Sequence, residues 1–409
     1  LNETLLDSYE SFTRHLEDRE YFGQKLGLAR IQRLLDRLGN PEKKFRSIHI
    51  AGTNGKGSTA AMIASILHEA GVRVGLYTSP HLNDFCERIR IAGEPISPDR
   101  VLHWGRIIRE AEEEPLTFFE LATAIAFLHF AEERVPLAVI ETGLGGRLDA
   151  TNVITPLISV ITTVGLDHTS HLGNSIEEIA FEKAGIVKPG VPVVTGSLPP
   201  QAIEVVREVA SARKTACLVM TRTLHPALEV GLPGEHQRQN AMLAMAVALS
   251  LEEFGGVPVP VEAVIRGLEN VRWPGRLETV SESPWVLLDG AHNRPAMQVL
   301  REFLEEHLEG RRLIVLFGAM ADKDLRGILS ELAPIADRFV FTAPRLKRAA
   351  DPRKLSEIAA SLGKEGAVFD RVDQAIPSIL ESLGSDEVWL ITGSLFLVGE
   401  ARRWFKKES

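Results

Sequence analysis

Gly52-Thr53-Asn54-Gly55-Lys56-Gly57-Ser58 follows the apolar run Ile48-His49-Ile50 and leads into Thr59-Ala60-Ala61-Met62-Ile63-Ala64, a run of helix-forming residues. The order is strand, glycine-rich loop, helix. Glycines let backbone N–H groups turn toward an anion, the helix N-terminus adds partial positive charge, and Lys56 brings a mobile ammonium to the β- and γ-phosphates of a nucleotide. Ser58 supplies a hydroxyl where a phosphate-bound Mg²⁺ needs an oxygen. The loop departs from the commonest phosphate-loop pattern in two places, with Ile50 where glycine is usual and Gly57 where Ser or Thr is usual.

A chain of 409 residues exceeds what one hydrophobic core organises, so two domains are expected. With 44% hydrophobic and 25% charged residues the composition is that of a soluble globular protein. A net charge of −9 argues against nucleic acid as the main partner, and an anionic ligand must be drawn by local cations. Cys86 and Cys217 fit neither a disulfide framework nor a zinc site. Leu1 to Glu20 is charged throughout, and no stretch is long enough to span a bilayer, so the expected location is the cytoplasm.

Periodicity predicts helices over Leu26–Leu38, Phe118–Ala131, Ile176–Val187 and Val261–Asn270. Between them it predicts strands over Val72–Tyr77, Leu137–Ile140, Leu157–Val164 and Val191–Val194. The alternation implies a mostly parallel sheet covered on both faces. A boundary is expected near Trp273-Pro274-Gly275-Arg276, after which strands Trp285–Leu288, Leu313–Phe317, Arg338–Phe341 and Val388–Ile391 alternate with helices, the last being Leu395–Phe405.

Ligands of such sheets gather at the carboxyl ends of the strands. Glu141 follows Leu137-Ala138-Val139-Ile140 directly, where a nucleotide-binding sheet commonly keeps a Mg²⁺ ligand, and it opens the run Thr142-Gly143-Leu144-Gly145-Gly146-Arg147-Leu148-Asp149-Ala150-Thr151-Asn152. Gly165-Leu166-Asp167-His168-Thr169-Ser170-His171 stands at the end of the next strand; neutral His168 is suited to complete an oxygen-rich metal site, whereas His171 reads equally as an exposed residue. Lys183, read by itself, is a charged residue on an amphipathic helix. Ser79-Pro80 marks a turn, and Arg88 and Arg90 alternating with Ile89 and Ile91 suggest a strand with one basic face. Phe118 and Phe119 suit either the core or a flat heterocycle.

The loop variant Gly52 to Ser58 resembles that of the Mur ligase superfamily and, within it, the folylpolyglutamate and dihydrofolate synthases. The similarity continues in family order through Thr78-Ser79-Pro80-His81-Leu82, Thr117-Phe118-Phe119-Glu120, Glu141 to Asn152, Gly165 to Gly173, Glu182-Lys183-Ala184-Gly185, Gly234 to Ala241, Trp273 to Glu278, Leu288-Asp289-Gly290-Ala291-His292-Asn293 and Thr392-Gly393-Ser394. It implies a phosphate-loop α/β domain over residues 1–275, binding ATP and folate, and a smaller Rossmann-like α/β domain over 276–409 on the glutamate side.

The same resemblance implies the site. ATP would be held by Gly52, Thr53, Asn54, Gly55, Lys56, Gly57 and Ser58, by Asn240 at the adenine, by Arg276 at the phosphates and by Asp289 at the ribose. Mg²⁺, as two ions, would be held by Ser58, Ser79, Glu141, His168 and Lys183, the lysine being carbamylated by CO₂ and so converted to an anionic oxygen ligand. Thr78, Pro80, His81, Thr117, Phe118, Phe119, Glu120, Leu148, Asp149 and Ala150 would form the folate-binding part, with Phe118 or Phe119 stacking the heterocycle. His292 would contact phosphate or the incoming amino acid, and Lys56, Lys183 and His292 would be the catalytic groups. The implied reaction is ATP-dependent addition of L-glutamate to dihydropteroate and to reduced folates through an acyl phosphate, in a monomer whose partners are small molecules, not nucleic acid or membrane. Alternatives are folylpolyglutamate synthesis alone, another Mur-type amino-acid ligase, or a nucleotide-operated switch without ligase activity.

Overall fold

The computed structural model describes residues 8–21, 27–221, 224–382, 384 and 386–408. The chain divides into two compact units, one running to Gly231 and resuming over Gln237–Arg272, the other taking Leu232–His236 and everything from Trp273 onward.

The first unit is built on eight strands: β1 (Arg46–Ala51), β2 (Val74–Tyr77), β3 (Ile89–Ile91), β4 (Glu94–Pro95), β5 (Leu137–Glu141), β6 (Ile158–Ile161), β7 (Val193–Thr195) and β8 (Cys217–Val219). Their order across the sheet is β4-β3-β2-β5-β1-β6-β7-β8. All neighbours run parallel except the edge, where β3 lies antiparallel to both β2 and β4. Strands β1, β2, β5 and β6 are apolar along most of their length and almost wholly buried, as a sheet covered on both faces requires.

On one face, Phe45 packs its ring 5.7 Å from both Phe127 and Phe130 of the helix Phe118–Glu132. That helix is apolar nearly all round, so it forms only because the sheet and neighbouring helices bury it on all sides. A second cluster joins Ile161 of β6 and Val193 of β7 to Ile179 and Ala180 of the helix Ile176–Ala184 and to Val206 of the helix Pro200–Ala212. The helix Val261–Asn270 lies so close to Lys56–Glu69 that a Cβ on Gly267 would stand 2.4 Å from the Ile66 Cα.

The second unit has six strands, β9 (Glu278–Glu282), β10 (Trp285–Leu288), β11 (Arg312–Phe317), β12 (Arg338–Phe341), β13 (Gly366–Val368) and β14 (Glu387–Thr392), in the order β13-β12-β11-β14-β10-β9. Only β9 is antiparallel to its neighbour. Its core joins Leu287, Val315, Phe339 and Leu390 to Met297 and Leu304 of the helix Arg294–His307.

Several expected boundaries shift by a few residues. The helix expected over Leu26–Leu38 forms over Ala29–Arg37, while Leu26 lies outside the described residues. Glu141 belongs to β5 itself. The expected strand is only Ile89–Ile91 and carries Arg90 alone, so the basic face of two arginines does not form. Arg88 ends a 3₁₀ turn, Phe85–Arg88, and is buried, because its guanidinium is taken up by the Phe118 ring 4.8 Å away and by His81 Nδ1, to which Nε donates at 2.8 Å. Arg90 instead donates to the carbonyls of Glu87 and Gly93.

Candidate active site

The four central strands β2, β5, β1 and β6 are consecutive neighbours and parallel, so their carboxyl ends open on one edge of the sheet. Adjacent strands are about 4.8 Å apart. Thr78-Ser79, Glu141, the loop from Gly52 and the segment Thr162 to His168 are thereby brought side by side.

The loop from Gly52 is tied to the segment that follows β6. Thr53 N donates to the Thr163 carbonyl at 2.8 Å, Asn54 N to Thr163 Oγ1 at 2.9 Å, and Thr162 Oγ1 to the Asn54 carbonyl at 2.6 Å. Thr53 Oγ1 and the Gly165 N–H close the same seam at 3.0 Å. Gly55, at φ +81°, is the N-cap of Lys56–Glu69; a Cβ there would lie 2.5 Å from Asn240 Oδ1, so only glycine fits. Lys56 Nζ folds back on the loop and donates to the carbonyls of Gly52 and Thr53 at 3.0 and 3.2 Å. Gly57 continues into the first helical turn, and Ser58 is buried in it.

Glu141 is buried and accepts the backbone N–H of Ser79 at 2.9 Å, which joins the ends of β2 and β5. His168 takes the left-handed conformation at φ 50°, and its N–H donates to Asp167 Oδ1 at 2.8 Å. Among the described residues no three of His, Cys, Asp and Glu converge on a cation position. The set at this edge is instead one buried carboxylate with nearby hydroxyls, and it fits an ion that keeps water and phosphate oxygens in its shell, as Mg²⁺ does.

Lys183 is buried, and its ammonium is pushed down to about 7 by burial and by Lys56, with Asp167 and Asp149 opposing. The amine is thus close to half neutral at physiological pH.

Asp149 caps the 3₁₀ turn Ala150–Val153 and spends both oxygens internally. Oδ2 accepts from Gly143 N and Leu144 N, each at 2.9 Å, and Oδ1 from Thr151 N at 3.0 Å and Thr151 Oγ1 at 2.5 Å. Phe119 packs on Gly143, where a Cβ would meet its ring at 2.7 Å, and its centroid is 6.0 Å from that of Tyr77. Thr117 and Glu120 form a capping box for Phe118–Glu132, and Arg30 Nε donates to Glu120 Oε1 at 3.1 Å. Thr78 and Ala150 are buried, Leu148 half-buried, and Pro80 follows a cis peptide bond.

Phe118 is in the core, with the Arg88 guanidinium over its ring and Phe85 edge-on to it, whereas Phe119 is half-buried.

In the second unit Asp289 holds the Leu277 N–H at 3.0 Å and the Ala291 N–H at 2.8 Å, while His292 Nδ1 donates to the Gly290 carbonyl at 2.8 Å. A Cβ on Gly290 would stand 2.8 Å from Arg276 Nη1.

Comparison with known proteins identifies the family. The Mur ligase middle domain matches residues 50–193, and the Mur ligase glutamate ligase domain matches residues 275–395. A dihydrofolate synthase/folylpolyglutamate synthase of Bacillus subtilis is 39% identical over 98% of this chain and 100% of its own length. The chain belongs to the dihydrofolate synthase/folylpolyglutamate synthase family. It is an ATP-dependent, ADP-forming amide ligase. E. coli FolC in complex with DHPP and ADP superposes with a TM-score of 0.90, at 30% identity and 98% coverage of both chains. A bifunctional folylpolyglutamate synthase/dihydrofolate synthase with Mn, AMPPNP and L-glutamate bound superposes at 0.87, also at 30% identity and 98% coverage of both.

Residues of the ligase that sequence reasoning passed over include Arg30, 90 positions from Glu120, and Thr162 and Thr163, which anchor the phosphate loop. His236 is another: burial lowers its pKa, Asp289 raises it and Arg276 lowers it, which places all three in one electrostatic neighbourhood. His49 and Thr151 complete the set; their Nε2 and Oγ1 are 2.8 Å apart. His49 alone carried a hint, being a histidine in an otherwise apolar strand.

Proposed function

We propose that this ligase joins the amino group of L-glutamate to the carboxylate of dihydropteroate and of reduced folates, forming an acyl phosphate from ATP on the way. The observation that carries the reading is the gathering of the phosphate loop, Glu141 with Ser79, and Asp167-His168 on four adjacent strand ends, with Lys183 buried in electrostatic range of Lys56. The B. subtilis relative, named for both activities, supports bifunctionality. The neighbour holding Mn, AMPPNP and L-glutamate supports a divalent cation beside the nucleotide and glutamate as the amine.

In this reading the acceptor carboxylate oxygen attacks the γ-phosphorus, ADP leaves, and the glutamate amine then displaces phosphate and loses a proton. Two anions must meet in the first step, so charge compensation dominates the barrier. Lys56 leaves the carbonyls of Gly52 and Thr53 for the phosphates. Ser58, Ser79, Glu141, His168 and Lys183 would hold Mg²⁺, which supplies electrostatic stabilisation of the phosphoryl oxygens when bound. Asn240 completes the nucleotide contacts of the first unit, and Asp149, by fixing Gly143 and Leu144, shapes the acceptor side. His292, whose Nδ1 donates to the Gly290 carbonyl, is the residue of the second unit assigned to phosphate or the amine.

Lys183 acts as its carbamate. The ammonium first gives up a proton; the neutral amine then adds to CO₂, a C–N bond forms as one C=O π bond opens, a second proton is released, and the buried cation has become an anion. The depressed pKa supports this, since only the unprotonated amine reacts.

The test is ADP release with Mg-ATP and L-glutamate, dihydropteroate in one reaction and tetrahydrofolate in another, with products weighed by mass spectrometry. Gain of one glutamate on dihydropteroate and of one or more on tetrahydrofolate is expected. Response to one acceptor alone reduces the assignment to a single activity, and silence with both from folded, ATP-binding protein overturns it.

A further inference from the structure

His49 is wholly buried on β1, three residues ahead of Gly52, and none of the roles above uses it. Its Nε2 lies 2.8 Å from Thr151 Oγ1, 102 residues along the chain, and Thr151 Oγ1 lies 2.5 Å from Asp149 Oδ1. Burial raises the pKa of Asp149, but three backbone N–H groups donate to it as to an ionised carboxylate, so it also accepts the one Thr151 hydroxyl proton; the threonine oxygen then accepts and His49 donates through Nε2–H. His49 Nδ1 is then the bare nitrogen, and it has no hydrogen-bond partner among the described residues. Burial, aided by Lys188, pushes the imidazole down to about 3, so the ring is neutral at physiological pH and the arrangement persists.

The relay ends on groups outside the sheet. Asp149 Oδ2 holds the N–H groups of Gly143 and Leu144, and Gly143 carries the Phe119 ring. The phosphate loop is insulated from the same relay. The β1 backbone is paired on both sides, His49 opposite Ile140 of β5 and Ser159 of β6, so losing its side-chain hydrogen bond leaves the strand and the loop after it in place.

We propose that His49 and Thr151 are positioning residues that, through Asp149, set the Gly143-Leu144 backbone under Phe119 and so tune affinity for the pterin-bearing acceptor and not for the nucleotide. The proposal rests on the folate reading above for the identity of the acceptor. One charge-assisted hydrogen bond in a buried chain of three corresponds to about a tenfold effect on binding.

Full-length wild type, Thr151→Val, Thr151→Ser and His49→Gln would be compared for KM of dihydropteroate, KM of ATP, kcat and Tm. Thr151→Val keeps the volume and removes the hydroxyl; it should raise the acceptor KM about tenfold with the ATP KM within about twofold, and Thr151→Ser should restore wild-type values. Nitrogen-15 NMR of labelled histidines, with the His49 signal assigned by its loss in His49→Gln, should show a neutral Nε2–H ring at pH 7 that changes in Thr151→Val. Acceptor and ATP KM rising together, neither moving, or an Nδ1–H ring would each overturn the proposal. If Thr151→Val fails to fold, the His49→Gln kinetics and the histidine spectrum decide. Should wild type ligate neither dihydropteroate nor tetrahydrofolate, the folate reading falls, and the histidine spectrum still decides whether the relay exists.

Discussion

Glu141 accepts the Ser79 N–H at 2.9 Å, a bond from the last residue of β5 to the loop that follows β2. The donor is backbone, so the Ser79 side chain takes no part in it. The bond holds two oxygen-bearing side chains at neighbouring strand ends.

Glu141→Gln keeps an oxygen for Ser79 and removes only the charge. Its Tm should stay within a few degrees of wild type, while kcat falls about a hundredfold or more and the Mg²⁺ concentration for half-activity rises. Thermal melts and a Mg²⁺ titration of ADP release check this. An unchanged Mg²⁺ requirement would remove Glu141 from the cation site.

Gly55 and Gly71 have nearly the same backbone, φ +81° and +80°, in different surroundings. A Cβ on Gly55 would stand 2.5 Å from Asn240 Oδ1, whereas one on Gly71 meets nothing within 4 Å. Gly71→Ala should cost only the left-handed penalty, about 1 kcal/mol, with normal kinetics. Gly55→Ala adds a collision at the phosphate loop, and its ATP KM should rise at least about tenfold. Urea midpoints and ATP saturation curves separate the two.

Lys183, at about 7, should be modified more fully as pH rises from 6.5 to 8. Activity in CO₂-stripped buffer should fall and return with bicarbonate, and ¹³C-labelled bicarbonate should give one protein carbamate resonance that is missing in Lys183→Ala. Short carboxylates should partly restore that variant. Full activity in Lys183→Ala with no addition would exclude the lysine from catalysis.

Stability should fall on the acid side. His49 is held down to about 3 and His129 to about 4, each chiefly by burial. Between those values and the unfolded pKa of about 6.5, the unfolded chain binds the extra protons, so stability rises with pH across that window and is lost as pH falls through it. At pH 5 each histidine should cost about 2 kcal/mol relative to pH 8. His49→Gln should lose less stability between pH 8 and pH 5 than wild type, as read from urea midpoints; an identical loss would mean that His49 titrates normally.

The phosphate loop, the strand after it and the alternation of elements were legible because each is written in consecutive residues: glycines where the backbone must turn, apolar runs where strands are buried on both faces, a carboxylate where β5 ends. The sequence alone therefore determined a nucleotide-binding α/β protein and the segments that carry its chemistry. The order β2-β5-β1-β6 was not legible, since periodicity says which face of an element is buried but not which strand lies beside it. That order is what brings Glu141 to Ser79 across 62 residues and His49 to Thr151 across 102. It also settled the two neighbouring phenylalanines, alike in sequence. Phe118 turns inward under Arg88, and Phe119 lies over Gly143, because consecutive helix positions point about 100° apart and only the packed sheet defines which direction is the core.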